Sequence, residues 1–273
     1  MYAFSAMLSD LFLHLTTRCS PLVRKLGYLN EAIEMRRRHR LHRGSWQPHL
    51  DNTRRFVLNA AEQCRDRSTV VVLGSGLLLD VPLPEVSAMF RDVVLMDVVC
   101  LPEVRRRIHA YRNVRFIEHD VTGIAENLFG NKLRGVPELP DARPLASTVS
   151  DHAGFVVSLN ILSQLTIIPR AFAARHLRGF SPYELDDWCA RTVEAHYASL
   201  RSMRCDVCLI ADYDCVRRDR AGEVVSAGST IYGLKLPKPE ASWTWSIAPI
   251  RERSHFLSKE LLVGAWHLRH DRP

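Results

Sequence analysis

Five short, predominantly apolar runs set between helical stretches constrain this 273-residue chain more than any other feature. They are Val70–Leu73, Val93–Met96, Val114–Ile117, Phe155–Leu159 and Val207–Ala211. A strand with one wet face alternates apolar and polar residues, whereas runs like these suit strands buried on both faces. Their alternation with helices predicts an α/β fold with a doubly wound, mostly parallel sheet. The chain then changes character. Thr230–Leu234, Trp243–Ile247 and Leu261–His267 are strand-like with no helix between them, which predicts an antiparallel edge at the C-terminal end.

Ahead of the first run the chain reads as helical, so residues 1–64 are expected to form a helical cap and residues 65–273 the sheet domain. Leu8, Leu11, Phe12 and Leu15 recur at helical spacing and predict one buried face. A second helix is expected from Asn30 to about Arg43, stopped by Gly44 with Pro48 beyond, and a third from His49 to Cys64. Ser181-Pro182-Tyr183-Glu184 combines an N-cap, a first-turn proline and a glutamate at the third position, and starts a helix expected to reach Met203. The connection from Gly130 to Gly154, with Pro137, Pro140 and Pro144, is long for a compact domain and reads as functional or mobile.

Bulk properties narrow the classes. An apolar fraction of 47% and a charged fraction of 25% are those of a globular chain. The N-terminal segment carries Asp10 and no basic leader, no run is long enough for a membrane span, and a cytoplasmic location is expected. Seven scattered cysteines argue for a reducing compartment. Cys205 and Cys208 fall in a strand-like run, where they would face opposite sides, so neither a redox pair nor a metal site is expected. The net charge of +7 favours an anionic partner only weakly, because 37 basic residues include just five lysines.

The chemistry concentrates in Val70–Asp80, VVVLGSGLLLD. A buried strand running straight into Gly74-Ser75-Gly76 lets the backbone turn sharply and approach a ligand. About twenty residues later the second run ends in Asp97, a position from which a carboxylate accepts hydrogen bonds from both ribose hydroxyls. The third run ends near Asp120, at the same sheet edge. Both aspartates have a plainer reading as caps for the helices that follow. A dinucleotide site wants a third glycine where Leu79 stands, and Asp80 would repel a pyrophosphate. A cationic sulfonium ligand meets neither objection.

These stretches resemble the class I S-adenosylmethionine-dependent methyltransferase family from about Thr69 onward. VLGSG is similar to its first motif, LMD to its second-strand acidic motif, EHDVTG to its third and FVVSLNILSQL to its fourth. The resemblance implies a seven-stranded sheet and S-adenosylmethionine as cofactor, held by Gly74, Ser75, Gly76, Asp80, Asp97, Val98, Asp120, Val121 and Asn160. Asn160 would face the transferring methyl, and Asp212 and Tyr213, at the end of the fifth run, would position or deprotonate the acceptor. Two departures stand out: Val72 where the family has an acidic residue, which Asp80 would replace, and Leu78 where a third glycine is usual.

Methyl transfer needs in-line placement above all, so no obligatory catalytic residue follows from the pattern. The Arg36-Arg37-Arg38-His39-Arg40 run, with His42 and Arg43, circles a helix and reads first as a solvated segment, second as an anion-binding surface. Trp46 and His49 follow it and would either close over the cofactor or pack into the core. The reading favours a small-molecule or peptide substrate over nucleic acid. The alternatives are a binding protein that kept the fold and lost the chemistry, and an NAD-dependent oxidoreductase.

Overall fold

The computed structural model describes residues 2–143, 145, 149, 153–249 and 257–270, with only the backbone of 2–8. Helices α1 (Tyr2–Thr16), α2 (Pro21–Leu26) and α3 (Tyr28–Gln63) precede strand β1 (Thr69–Leu73). Then follow α4 (Leu83–Met89), β2 (Asp92–Asp97), α5 (Pro102–Ile108), β3 (Val114–Glu118), α6 (Ala125–Arg134) and β4 (Phe155–Leu159). The remainder is α7 (Ile167–His176), α8 (Pro182–Arg201), β5 (Asp206–Arg218), β6 (Val224–Ser229), β7 (Ala241–Ala248) and β8 (Ser258–Leu268).

Seven strands lie on one path in the order β3-β2-β1-β4-β5-β8-β7, and β6 adds to β5 alone. The first five are mutually parallel, while β8 runs antiparallel between β5 and β7. Side chains alternate through the sheet as the pleat requires. Val70, Val72, Val93, Leu95, Phe155 and Val157 join one core with Val57 and Ala60 of α3 and Val104 of α5. Val71, Leu73, Val94, Met96, Val156 and Leu209 join another with Val193 and Leu200 of α8. Cys208 belongs to the first core and Cys205 to the second, on opposite sides of the sheet as their spacing predicts, and neither is in a disulfide.

The N-terminal helices are not separately packed: Leu29, Ile33, Trp46 and Leu50 lie in the same core as β1 and β2. Trp46 sets its ring edge-on to Trp245 at 5.0 Å and donates its indole N–H to the Ile247 carbonyl at 2.9 Å. That tie docks α3 against β7.

Three local expectations need correction. In α1, the side chain of Leu8 lies outside the described residues, while Leu11, Phe12 and Leu15 are exposed and Leu13 is buried, so these three positions of the expected stripe face solvent. Gly44 does not end a helix. The chain breaks helical geometry only at His42 (φ −118°, ψ 22°), whose carbonyl accepts from the Ser45 hydroxyl, and then continues through Pro48 as one element. Thr230–Leu234 is a turn, with Tyr232 at φ 54°; the strand is the preceding Val224–Ser229, exposed along its whole length. With neither face buried, β6 lacks the hydrophobic pattern by which strands are recognised.

The Ser181 capping box is formed, with Ser181 and Glu184 each accepting from the other's backbone N–H. Pro144 lies outside the described residues, but the start of the Pro-rich connection is docked. Trp188 donates to the Pro140 carbonyl at 2.8 Å and Asn131 to the Glu138 carbonyl at 3.0 Å.

Candidate functional site

At the carboxyl edge of β1, β2 and β4 the chain encloses a cleft with two adjoining lobes. The first, about 190 Å³, lies among Gly76, Asp97, Val98, Asp120, Val121 and Tyr28. The second, about 120 Å³, lies among Asp80, Asn160, His49, Trp46 and Trp245. Met35, Gly74, Gly76, Leu77, Asp97, Ile161 and Gln164 line both.

The loop after β1 explains how the lobes come to meet. Gly74 sits at φ +78°, and a Cβ there would fall 1.9 Å from Ile161 Cγ2 and 3.0 Å from the Leu159 carbonyl oxygen. β1 and β4 therefore approach closely because this position has no side chain. Gly76, at φ +46°, would set its Cβ 4.0 Å from the Gly74 carbonyl oxygen, an ordinary contact. Leu78 also lies in the left-handed region, at φ 58°, where a glycine would be unstrained. Its side chain is 1% exposed, so burial compensates for the backbone strain and the loop keeps its course without the third glycine. Arg107 on α5 donates to the Leu77 and Leu78 carbonyls, and Arg54 on α3 to that of Leu79.

Asp97 does not cap α5, which begins five residues later with Leu101 as its N-cap. Its two oxygens instead accept from the Gly76 N–H at 2.8 Å and the Val98 N–H at 2.7 Å. Burial pushes this carboxyl above its ordinary range, and those N–H groups hold it back. Asp120 is used structurally as well: it accepts from the Thr122 N–H and hydroxyl and from the Ala125 N–H, tying down the start of α6. It still lines the first lobe. Tyr28 lies beside both aspartates, and burial above all, then their charge, raises its phenol pKa.

In the second lobe Asn160 stands at φ 51°, just past β4, and its Nδ2 donates to Asp80 Oδ2 at 2.7 Å. Burial raises the Asp80 carboxyl, and the Asn160 amide lowers it in part. Gln164 donates to the Asn160 carbonyl at 2.6 Å where the lobes join. The remaining expected residues are elsewhere. Ser75 is buried and outside the lining. Asp212, one strand further along the sheet, is buried and accepts from the Ser163 hydroxyl at 2.7 Å. Tyr213 occupies a bulge in β5 opposite β8, and its ring meets Trp266 edge-on. Neither lines either lobe. Tyr28, Glu31 and Trp245 are among the lining residues that the sequence pattern did not single out.

A parallel sheet ordered β3-β2-β1-β4-β5 and extended by antiparallel β8 and β7 is a Rossmann-like α/β arrangement with the antiparallel edge that the resemblance implied. No family model matches the chain, and no curated protein matches it. Among solved structures it is similar to a DhpI–SAH complex, at 13% identity and a TM-score of 0.36 over 88% of this chain and 96% of that one. It is also similar to the N-methyltransferase NodS of Bradyrhizobium japonicum WM9 in complex with S-adenosyl-l-homocysteine, at 10% identity and a TM-score of 0.35 over 82% and 87%. A third is the 1,6-didemethyltoxoflavin-N1-methyltransferase of Burkholderia thailandensis, at 11% identity and a TM-score of 0.32 over 76% of each chain.

Proposed function

We propose that this chain is an S-adenosylmethionine-dependent methyltransferase whose nucleoside end sits in the first lobe. The observation that carries this reading is the sign of the lining. Glu31, Asp80, Asp97 and Asp120 contribute carboxylates to the two lobes, and among the described residues no lysine or arginine lines either. Such a cleft repels a dinucleotide pyrophosphate and attracts a sulfonium cation.

Bound there, the cofactor supplies an electrophilic methyl group. The chain's part is placement: Asp97 accepts from ribose hydroxyls with the lone pairs that Gly76 and Val98 leave free, Asp120 and Val121 border the base, and Gly74 lets the backbone pass underneath. With Asp212 and Tyr213 outside the lobes, rate acceleration rests on proximity and exclusion of water rather than on a base from β5.

The acceptor is a small molecule or peptide. Nucleic acid is disfavoured because the arginine run is largely neutralised: Arg36 meets Glu103, Arg37 meets Glu34 and Arg38 meets Glu31. On this reading residues 1–64 close the cleft from above, through Tyr28, Met35, Trp46 and His49, and residues 65–273 bind the cofactor.

Calorimetric titration with S-adenosylmethionine, S-adenosylhomocysteine and NAD should give micromolar binding of the first two and none of the third. Binding of NAD alone would reverse the assignment. Asp97→Ala should lower S-adenosylhomocysteine affinity at least ~10-fold, since it removes charge-assisted acceptors for ribose. A folded variant with unchanged affinity would remove Asp97 from the site.

A further inference from the structure

The stretch from the end of β4 into the first turn of α7 forms one wall of the cleft, where Ile161, Gln164, Leu165, Ile167 and Ile168 line the first lobe. Thr166 is the N-cap of α7, a place where a threonine oxygen ordinarily accepts from the first helical turn, yet no such bond forms. The hydroxyl donates instead to the Tyr232 oxygen at 3.3 Å. Both hydroxyls also hydrogen-bond with the buried Cys189 thiol of α8. Ser163, three residues before Thr166, donates to Asp212 of β5 at 2.7 Å.

Tyr232 holds its place against its own backbone preference. It sits at φ 54° and Gly233 at φ 77°, in a turn closed by the Leu234 N–H on the Ile231 carbonyl at 3.1 Å. A turn with two left-handed central residues suits Asn followed by Gly, and a bulky aromatic in the first place is strained. Such strain persists where the surroundings fix the residue, and it gathers at functional sites. The Tyr232 ring packs against two cores at once, one containing Leu162 and Leu165, the other Phe172 and Cys189. The turn is fastened to β5 as well, since the Thr230 hydroxyl donates to the Asp212 carbonyl at 2.9 Å. Ser163 and Thr166 are thus anchored from β5 and from the turn before β7, and between them stand Gln164 and Leu165 of the lining.

We infer that Tyr232 is a positioning residue of the ligand cleft: through Thr166 it holds the wall between β4 and α7, with Asp212 as a second anchor through Ser163. This rests on the cofactor reading above and adds to it the groups that set where the wall stands. Tyr232 and Asp212 lie outside both linings and act only through the hydroxyls they hold. An aspartate that the sequence pattern places at the reacting atoms serves behind them instead.

Titration with S-adenosylhomocysteine tests this, with a urea melt of every variant. Tyr232→Phe removes one hydroxyl and keeps the ring, and Thr166→Val removes the other and keeps the methyl. Each should lower affinity ~5-fold. Thr166→Ser keeps the hydroxyl and loses a buried methyl, so its urea midpoint should fall while its affinity stays within about twofold of the parent. The double variant Tyr232→Phe/Thr166→Val should bind no worse than either single variant, because the two hydroxyls share one contact. Folded Tyr232→Phe and Thr166→Val proteins that bind as the parent does would overturn the inference and leave the cofactor reading standing. So would losses that add in the double variant, or a Thr166→Ser protein as weak as Thr166→Val. A parent protein that does not bind S-adenosylhomocysteine would overturn both.

Discussion

Gly74→Ala is expected to lose several kcal/mol of stability and the ligand site with it. Alanine at φ +78° costs about 1–2 kcal/mol in backbone strain alone. The added methyl would also lie 1.9 Å from Ile161 Cγ2 and 3.0 Å from the Leu159 carbonyl oxygen. A rotamer change moves Ile161 Cγ2 but leaves its Cβ, 3.1 Å away, and the backbone oxygen in place. Overpacking of this kind adds ~1–3 kcal/mol. Because Ile161 lines both lobes, the shift that relieves the clash also deforms the cleft. Denaturant melts of Gly74→Ala, Ile161→Ala and the double variant separate the two costs. The double variant should recover the share due to Ile161 Cγ2 and keep the strain and the tight contact with the Leu159 carbonyl oxygen, while Gly76→Ala, whose Cβ meets only an ordinary contact, should cost only about 1 kcal/mol. A Gly74→Ala protein as stable as its parent would mean that β1 and β4 are not held this closely.

Where sequence and structure agree, the signal is local. β1, β2 and β4 are recognisable because strands buried on both faces read as continuous apolar runs, and Gly74, Gly76 and Asp97 because one tight loop and one strand end place them. Leu78 itself takes the left-handed backbone and is buried there, so the loop turns without a glycine at that position. What could not be read is long-range. Trp243 lies 194 residues from His49, and no periodicity couples them. Asp212 and Tyr213 follow an apolar strand just as Asn160 does, yet a strand end is a site only where the sheet and its covering helices leave space. β4 borders that space, whereas β5 continues past Asp212 through a bulge to pair with β6 and β8. The α1 stripe misled for a related reason, since spacing shows that a face exists and not what it meets.

Acid should destabilise this protein well before its carboxylates reach their ordinary range. His196 of α8 is buried beside Ser158, with Nδ1 unpartnered, and burial lowers its pKa from 6.5 to about 4. His49 is lowered from 6.5 to about 3 by the same cause. A histidine whose folded pKa lies below its unfolded value binds its proton better when unfolded. Its contribution is complete above pH 6.5 and disappears as pH falls towards 4 for His196 and towards 3 for His49. At about 1.4 kcal/mol per pH unit, each costs roughly 2 kcal/mol between pH 7 and 5. Asp80, Asp97 and Asp212 act in the opposite sense, because burial raises their folded pKa values and protonation relieves them on acidification. The comparison that isolates the histidine is therefore His196→Gln against the parent, with urea melts from pH 7 to pH 5. The variant keeps a polar group near Ser158 and cannot titrate, so its stability should fall less steeply by about 1.4 kcal/mol per pH unit below pH 6. Parallel pH profiles would mean that His196 is hydrated or already paired in the folded protein. A steeper loss in the variant would mean that His196 takes up its proton more readily folded than unfolded, the reverse of what its burial implies.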